Sequence, residues 1–134
     1  MLRHFHDRRN LWKNIMVFKI SATSLTINYH CFKIIMTRGG SIYIMTNKLK
    51  TTLYIGVTAD IYSRIQEHKQ HFYKGSFTDK YNLEICVYYE NYPFIEEAIN
   101  REKEIKKWRR EKKDTLINTM KPYWTDLWDE IKLW

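Results

Sequence analysis

Long apolar runs are missing from this sequence: none approaches the ~18 to 20 residues that a membrane-spanning helix needs, so no bilayer span is expected. Cysteine is scarce too. The two thiols, Cys31 and Cys86, form no CxxC pair, which excludes a disulfide framework and fits a reducing, cytoplasmic setting. Neither cysteine stands in a pattern that marks a nucleophile. Internal repeats and low-complexity tracts are also absent, and the first 35 residues contain no Gly, no Pro and one acidic residue, Asp7.

What is present describes a folded, basic chain. Its 134 residues suit one domain with one core, and 44% hydrophobic with 28% charged residues is close to the globular norm, which disfavours disorder. A net charge of +8 attracts polyanions, nucleic acid foremost; a basic protein with no such partner is the plainer reading of charge alone. Aromatic residues, at 16%, can pack in a core or stack on bases.

Composition changes near Met36, where MTRGG leads into an alternating apolar run. Residues 1–35 are therefore expected to be an amino-terminal extension, genuine or an upstream over-read of the frame, and residues 36–134 the domain. The Arg-rich, acid-poor extension is superficially like a transit peptide, but Asp7 and the β-prone LTINYHCFKIIM weaken that reading.

Two β-rich runs, SIYIMT (41–46) and LYIGVT (53–58), predict a hairpin. Asp60 is a candidate N-cap for a helix that carries Ile61, Ile65, His68 and Phe72 on one face and ends before Gly75. LEICVYY (83–89) predicts a third strand, and Pro93 suits the first turn of a helix through Ile95, Ala98, Ile99, Glu102 and Ile105. A further helix covers DTLINTM and leads to KPYWTDLW, giving the order β-β-α-β-α-α in an α+β fold.

Two features break the pattern. Glu102 falls inside an apolar stripe, where burying an unpaired carboxylate costs several kcal/mol as an order of magnitude; it needs either an ion pair with Arg64 or a lysine, or a metal ion. Arg64 and His68 sit one helical turn apart and either share a ligand or form an ordinary solvated pair.

Ser41-Ile42-Tyr43 followed by Tyr54-Ile55-Gly56, with Arg64 and His68 downstream and an REK-containing helix at Glu102, resembles the GIY-YIG nuclease signature. YIGVT, REK, KKW and the tail Pro122, Trp124, Asp126 and Leu127 are most similar to small stand-alone bacterial members with excision-repair-like domains. The resemblance covers roughly residues 40–128. It implies a three-stranded antiparallel sheet flanked by helices and a metal-dependent endonuclease that cuts DNA, in repair or other processing. It also implies that Glu102 holds Mg²⁺ or Mn²⁺, that Arg64 meets the scissile phosphate, and that Tyr43 and Tyr54 line the site.

On this reading Tyr54 or His68 takes the proton from the attacking water, and the residues leave both open. Ser41 replaces the first glycine of the signature, Val57 stands where some relatives carry lysine, and Lys121-Pro122 replaces Asn-Pro. Asn118 is the candidate for the asparagine that closes the site in other subgroups.

Lys103, Lys106, Lys107, Arg109 and Arg110 are candidate phosphate contacts or simply a solvated helix face. Tyr73 and Phe77 either stack on bases or, more commonly for such residues, pack the core. RNA presents the same phosphodiester as DNA. Two other functions fit the sequence: an inactive nucleic-acid-binding module of the same fold, and a protein-interaction domain using Trp124, Trp128 and Trp134.

Overall fold

The computed structural model describes residues 39–134. The extension, the start at Met36, Cys31 and the β-prone stretch at 25–36 lie outside the described residues. Three strands, β1 (Gly40–Thr46), β2 (Leu53–Thr58) and β3 (Ile85–Tyr92), form an antiparallel sheet in the order β2-β1-β3. Helices α1 (Ile61–Lys69), α2 (Phe77–Lys80), α3 (Ile95–Lys106), α4 (Arg110–Met120) and α5 (Trp128–Ile131) flank it. The expected α+β architecture and strand count hold. Two short helices, α2 and α5, were not legible in the sequence because four residues are too few to display a period.

β1 is central and buried on both faces. Its strict alternation divides the core. Ile42 and Ile44 join Ile55, Val57, Val87 and the apolar side of α3, whereas Tyr43 and Met45 join Ile61 and Ile65 of α1, together with Leu83, Cys86, Leu127 and Ile131. The division survives an irregularity in β3. Ile44 pairs with Tyr88 but Met45 pairs with Cys86, so Val87 is an extra residue, a β-bulge. Val87 and Tyr88 therefore share one face, and Cys86 stays on the Tyr43 face.

Asp60 caps α1 as expected, accepting from the Ser63 amide at 3.1 Å and the Ser63 hydroxyl at 2.7 Å. The helix stops at Lys69, however, and Phe72 lies beyond it, 64% exposed. His71, at φ 51°, breaks the helical path before Phe72 can join the apolar face. Pro93 likewise stands outside its helix: α3 starts at Ile95, and Phe94 at the N-cap is still extended, with φ −124° and ψ 135°. Glu96 and Glu97 at the start of α3 and Lys103 and Lys106 at its end complement the helix dipole.

The tryptophan-rich tail is anchored. Trp124 packs on the Ile42 side of the sheet, and the Trp128 ring lies 5.2 Å from that of Tyr62. Trp134, although mostly exposed, meets Tyr89 edge-on at 5.1 Å. Asp126 accepts from the Cys86 and Trp128 amides, both at 3.1 Å, and pairs with Lys69. The Leu127 amide donates to the Cys86 carbonyl at 2.8 Å. No helix among the described residues is long and apolar enough to cross a membrane.

Candidate active site

The alternation of β1 points Tyr43 away from the Ile42 side, and its cross-strand partner on β2 is Gly56. That glycine is required by space rather than by backbone angle. A Cβ built at Gly56 would stand 2.4 Å from both Cζ and the hydroxyl oxygen of Tyr43, so the ring lies directly over the glycine backbone.

From the other side α1 supplies Arg64 and His68, one turn apart. Both reach the same atom. Arg64 Nε donates to the Tyr43 hydroxyl at 3.3 Å, and His68 Nε2 lies 2.9 Å from that oxygen. Of the two alternatives that their spacing allowed, a shared partner holds, and it is a side chain of the protein. Tyr54, two residues before Gly56 on the same face of β2, completes the group. Its ring centroid is 6.1 Å from Tyr43 and 5.5 Å from His68, the latter edge-on.

Burial, reinforced by the Arg64 charge, pulls the His68 imidazole down to about 3, so the ring is neutral near pH 7 and carries one N–H. Arg64 can only donate, so the Tyr43 oxygen accepts from it. The other ring nitrogen of His68, Nδ1, lies 3.1 Å from Thr78 Oγ1. The hydrogen-bonded chain thus links Arg64, Tyr43, His68 and Thr78, and Thr78 Oγ1 is in turn 3.1 Å from Ser76 Oγ. Arg64 is steadied by Glu67, whose carboxylate accepts from Nη1 at 2.8 Å.

Gly56, part of the signature, supports the site by leaving room for the Tyr43 ring, and Thr78 and Glu67 are supporting residues that the signature does not mark. For Thr78 a signal existed: Ser76 caps α2, accepting from the Asp79 amide at 3.2 Å, so S-F-T-D reads as a helix start. Nothing local reveals that its threonine would meet a histidine.

Glu102 is fully buried on α3, as its place in the apolar stripe required. This helix belongs to the layer over Ile42 and Ile44 and also packs against β2, the strand that carries Tyr54. Its carboxylate has a lysine partner, Lys106 Nζ at 2.5 Å. Burial, with Lys113 nearby, pulls Lys106 down to about 7. Among the described residues no three His, Cys, Asp or Glu side chains converge as a metal cage. A buried glutamate paired with a lysine is nonetheless a place that takes positive charge, and hard divalent cations can be held through only one or two protein carboxylates, completing their shell with water and phosphate oxygens. Glu102 is therefore the residue of this set that could hold such a cation.

The remaining candidates are dispersed. Lys103, Lys107 and Arg109 are exposed around the corner between α3 and α4. Lys106 is engaged by Glu102, and Arg110 by Asp114 at 2.7 Å and by the Lys50 and Thr51 carbonyls, each at 2.7 Å. Asn118 is exposed on α4, where its side-chain oxygen accepts from the Trp124 indole at 2.7 Å. Phe77 is partly buried beside the Tyr43 cluster, whereas Tyr73 is 47% exposed and does not pack the core.

A profile of the GIY-YIG catalytic domain matches residues 39–115, more than half of the chain. The matched span contains Tyr43, Tyr54, Arg64, His68 and Glu102 and stops short of Asn118. Searches of curated proteins and of solved structures returned no match.

Proposed function

Because the chain belongs to the GIY-YIG family of nuclease domains, we propose that it is a divalent-metal-dependent endonuclease that hydrolyses DNA phosphodiester bonds, in repair or other processing of DNA in the cytoplasm. The observation that carries this reading is the convergence of Arg64 and His68 on the Tyr43 hydroxyl. A purely structural tyrosine needs one partner; this one has a permanent cation and a neutral imidazole on the same oxygen.

Each residue then has a role in the hydrolysis. Arg64, steadied by Glu67 and Tyr43, keeps a positive charge where a non-bridging phosphate oxygen gains negative charge as the bond breaks. His68 acts through Tyr43 as a positioning residue. Both its ring nitrogens are engaged and its basicity is low, so it suits orienting the hydroxyl better than removing a proton from water. Between the two candidates for that removal, Tyr54 is favoured, because it is partly exposed while His68 is buried. Glu102 would hold the divalent cation, which supplies Lewis-acid stabilisation of the phosphate charge when bound. Lys103, Lys107 and Arg109 offer exposed positive charge to flanking phosphates without reading sequence.

The test is cleavage of supercoiled, single-stranded and branched DNA by the full chain with Mg²⁺, Mn²⁺ or EDTA, beside Glu102→Gln and Glu102→Ala. Metal-dependent cutting that both substitutions abolish is the expected result. Salt-sensitive DNA binding without cutting would replace this reading with that of an inactive binding module.

A further inference from the structure

Next to the Tyr43 cluster lies a surface that the hydrolytic roles leave unused. Phe72 and Tyr73, at the turn after α1, are 64% and 47% exposed, and their rings meet edge-on with centroids 5.0 Å apart. Solvent-facing aromatic rings that neighbour one another this closely hold their orientation. Tyr73 is also fixed from the side of the site: the Arg64 guanidinium carbon lies 5.1 Å from its ring centroid, in cation–π range. One arginine therefore touches both the Tyr43 hydroxyl and the exposed ring.

A second aromatic path leaves the site. It runs from Tyr54 to Phe77 at 6.4 Å and on to Tyr81 at 4.7 Å, where Lys80 Nζ stands 5.6 Å from the exposed Tyr81 ring. The carboxylates around these rings have partners. Glu67 is tied to Arg64, and His71 lies between Asp79 and Glu84, at 2.8 Å and 2.7 Å. Lys74 and Lys80 remain exposed.

We propose that Phe72 and Tyr73 form a stacking platform for unpaired bases, so that the preferred substrate is a single strand or the frayed, unpaired part of a nucleic acid beside the cut phosphate. This rests on the nuclease reading and narrows its substrate. The physical reason is access. Duplex DNA keeps its base faces stacked on one another, and an aromatic surface gains contact only from bases that are splayed out. Exposed rings set between cations suit that chemistry: the cations follow the backbone while the rings take successive base faces.

The test is fluorescence anisotropy of the full chain in EDTA, which separates binding from metal-dependent cutting. The probes are a labelled oligothymidylate, its ribouridylate counterpart, a blunt duplex of equal length and an abasic sugar-phosphate oligomer. Phe72→Ala with Tyr73→Ala should weaken oligothymidylate binding by roughly tenfold or more, leave duplex and abasic binding unchanged, and retain the wild-type circular dichroism. Tyr73→Phe, which keeps the ring, should bind single strands as the wild type does. An equal loss on oligouridylate supports the platform and extends it to RNA. An equal loss on the duplex or abasic probe, or no loss on oligothymidylate, overturns it. Wild-type cutting of DNA, measured separately with Mg²⁺, supports the nuclease reading in every case, so a wild type that cuts alongside variants with unaltered binding rejects the platform alone.

Discussion

The Tyr43 hydroxyl lies 2.9 Å from His68 Nε2 in a buried contact between the central strand and the helix that follows the hairpin. With His68 held near 3 by burial and by Arg64, the imidazole in this contact is neutral over the working pH range. The rate of DNA cutting should therefore show no limb from His68 between pH 6 and 7. Tyr54→Phe should lower turnover by about 100-fold or more, the usual scale for losing a general base, and His68→Asn should lower it through a displaced Tyr43. An acid limb near 6.5 that vanishes in His68→Asn would reject the positioning role.

Gly56→Ala should impair cutting more than it impairs folding. Its new Cβ would require the Tyr43 ring to move, drawing the hydroxyl away from His68 and Arg64, at a stability cost of about 1 to 3 kcal/mol typical of overpacking. Rates measured beside urea midpoints separate the two effects; wild-type turnover in a stably folded variant would show that the ring position is not critical.

The two histidines of this region should bend the stability curve in opposite directions. His68 is lowered from 6.5 to about 3 by burial first, so the unfolded chain binds the extra proton between those values and stability falls as pH drops from 6.5 toward 3, by on the order of a few kcal/mol. His71 is raised, first by its hydrogen bond to Glu84. Its contribution is present in full below 6.5 and is lost as pH rises through its folded value. Denaturation midpoints across pH should then flatten on the acid side in His68→Gln, while the deficit of His71→Gln should shrink as pH rises.

Asp126→Ala should destabilise the fold without touching the chemistry. It removes the acceptor of the Cys86 and Trp128 amides, both in partly buried hydrogen bonds, and the partner of Lys69, at a cost on the order of 1 to 3 kcal/mol. Thermal unfolding should register the loss, with cutting per folded molecule unchanged below the transition.

What could be read from the residues follows from what has a period. The β-rich run SIYIMT predicted a strand, and the helical spacing around Glu102 put it inside the apolar stripe; both hold. The spacing of Arg64 and His68 left a shared partner and an ordinary solvated pair both open, and could not point to Tyr43, since cross-strand register and helix packing are tertiary facts. Residues 70–84 were least legible. There the chain is set by side-chain hydrogen bonds, as with His71 to Asp79 and Glu84, Asp79 Oδ2 to the Gly75 amide at 2.6 Å, and Thr78 to His68, none of which leaves a trace in hydrophobic periodicity. For the same reason Phe72, assigned to the helix by spacing, lies on the surface. Glu102 illustrates a different limit: both a lysine partner and a cation were compatible with its pattern, and Lys106 accounts for the first without removing the second.

The hold of Asp126 and Leu127 on Cys86 bears on how molecules meet one another. β3 is an outer strand, and the Cys86 amide and carbonyl are satisfied by the chain's own later residues. At that point the sheet offers no free hydrogen-bonding edge onto which a strand from a neighbouring molecule could be laid, so the tail guards this end of the fold against edge-to-edge aggregation.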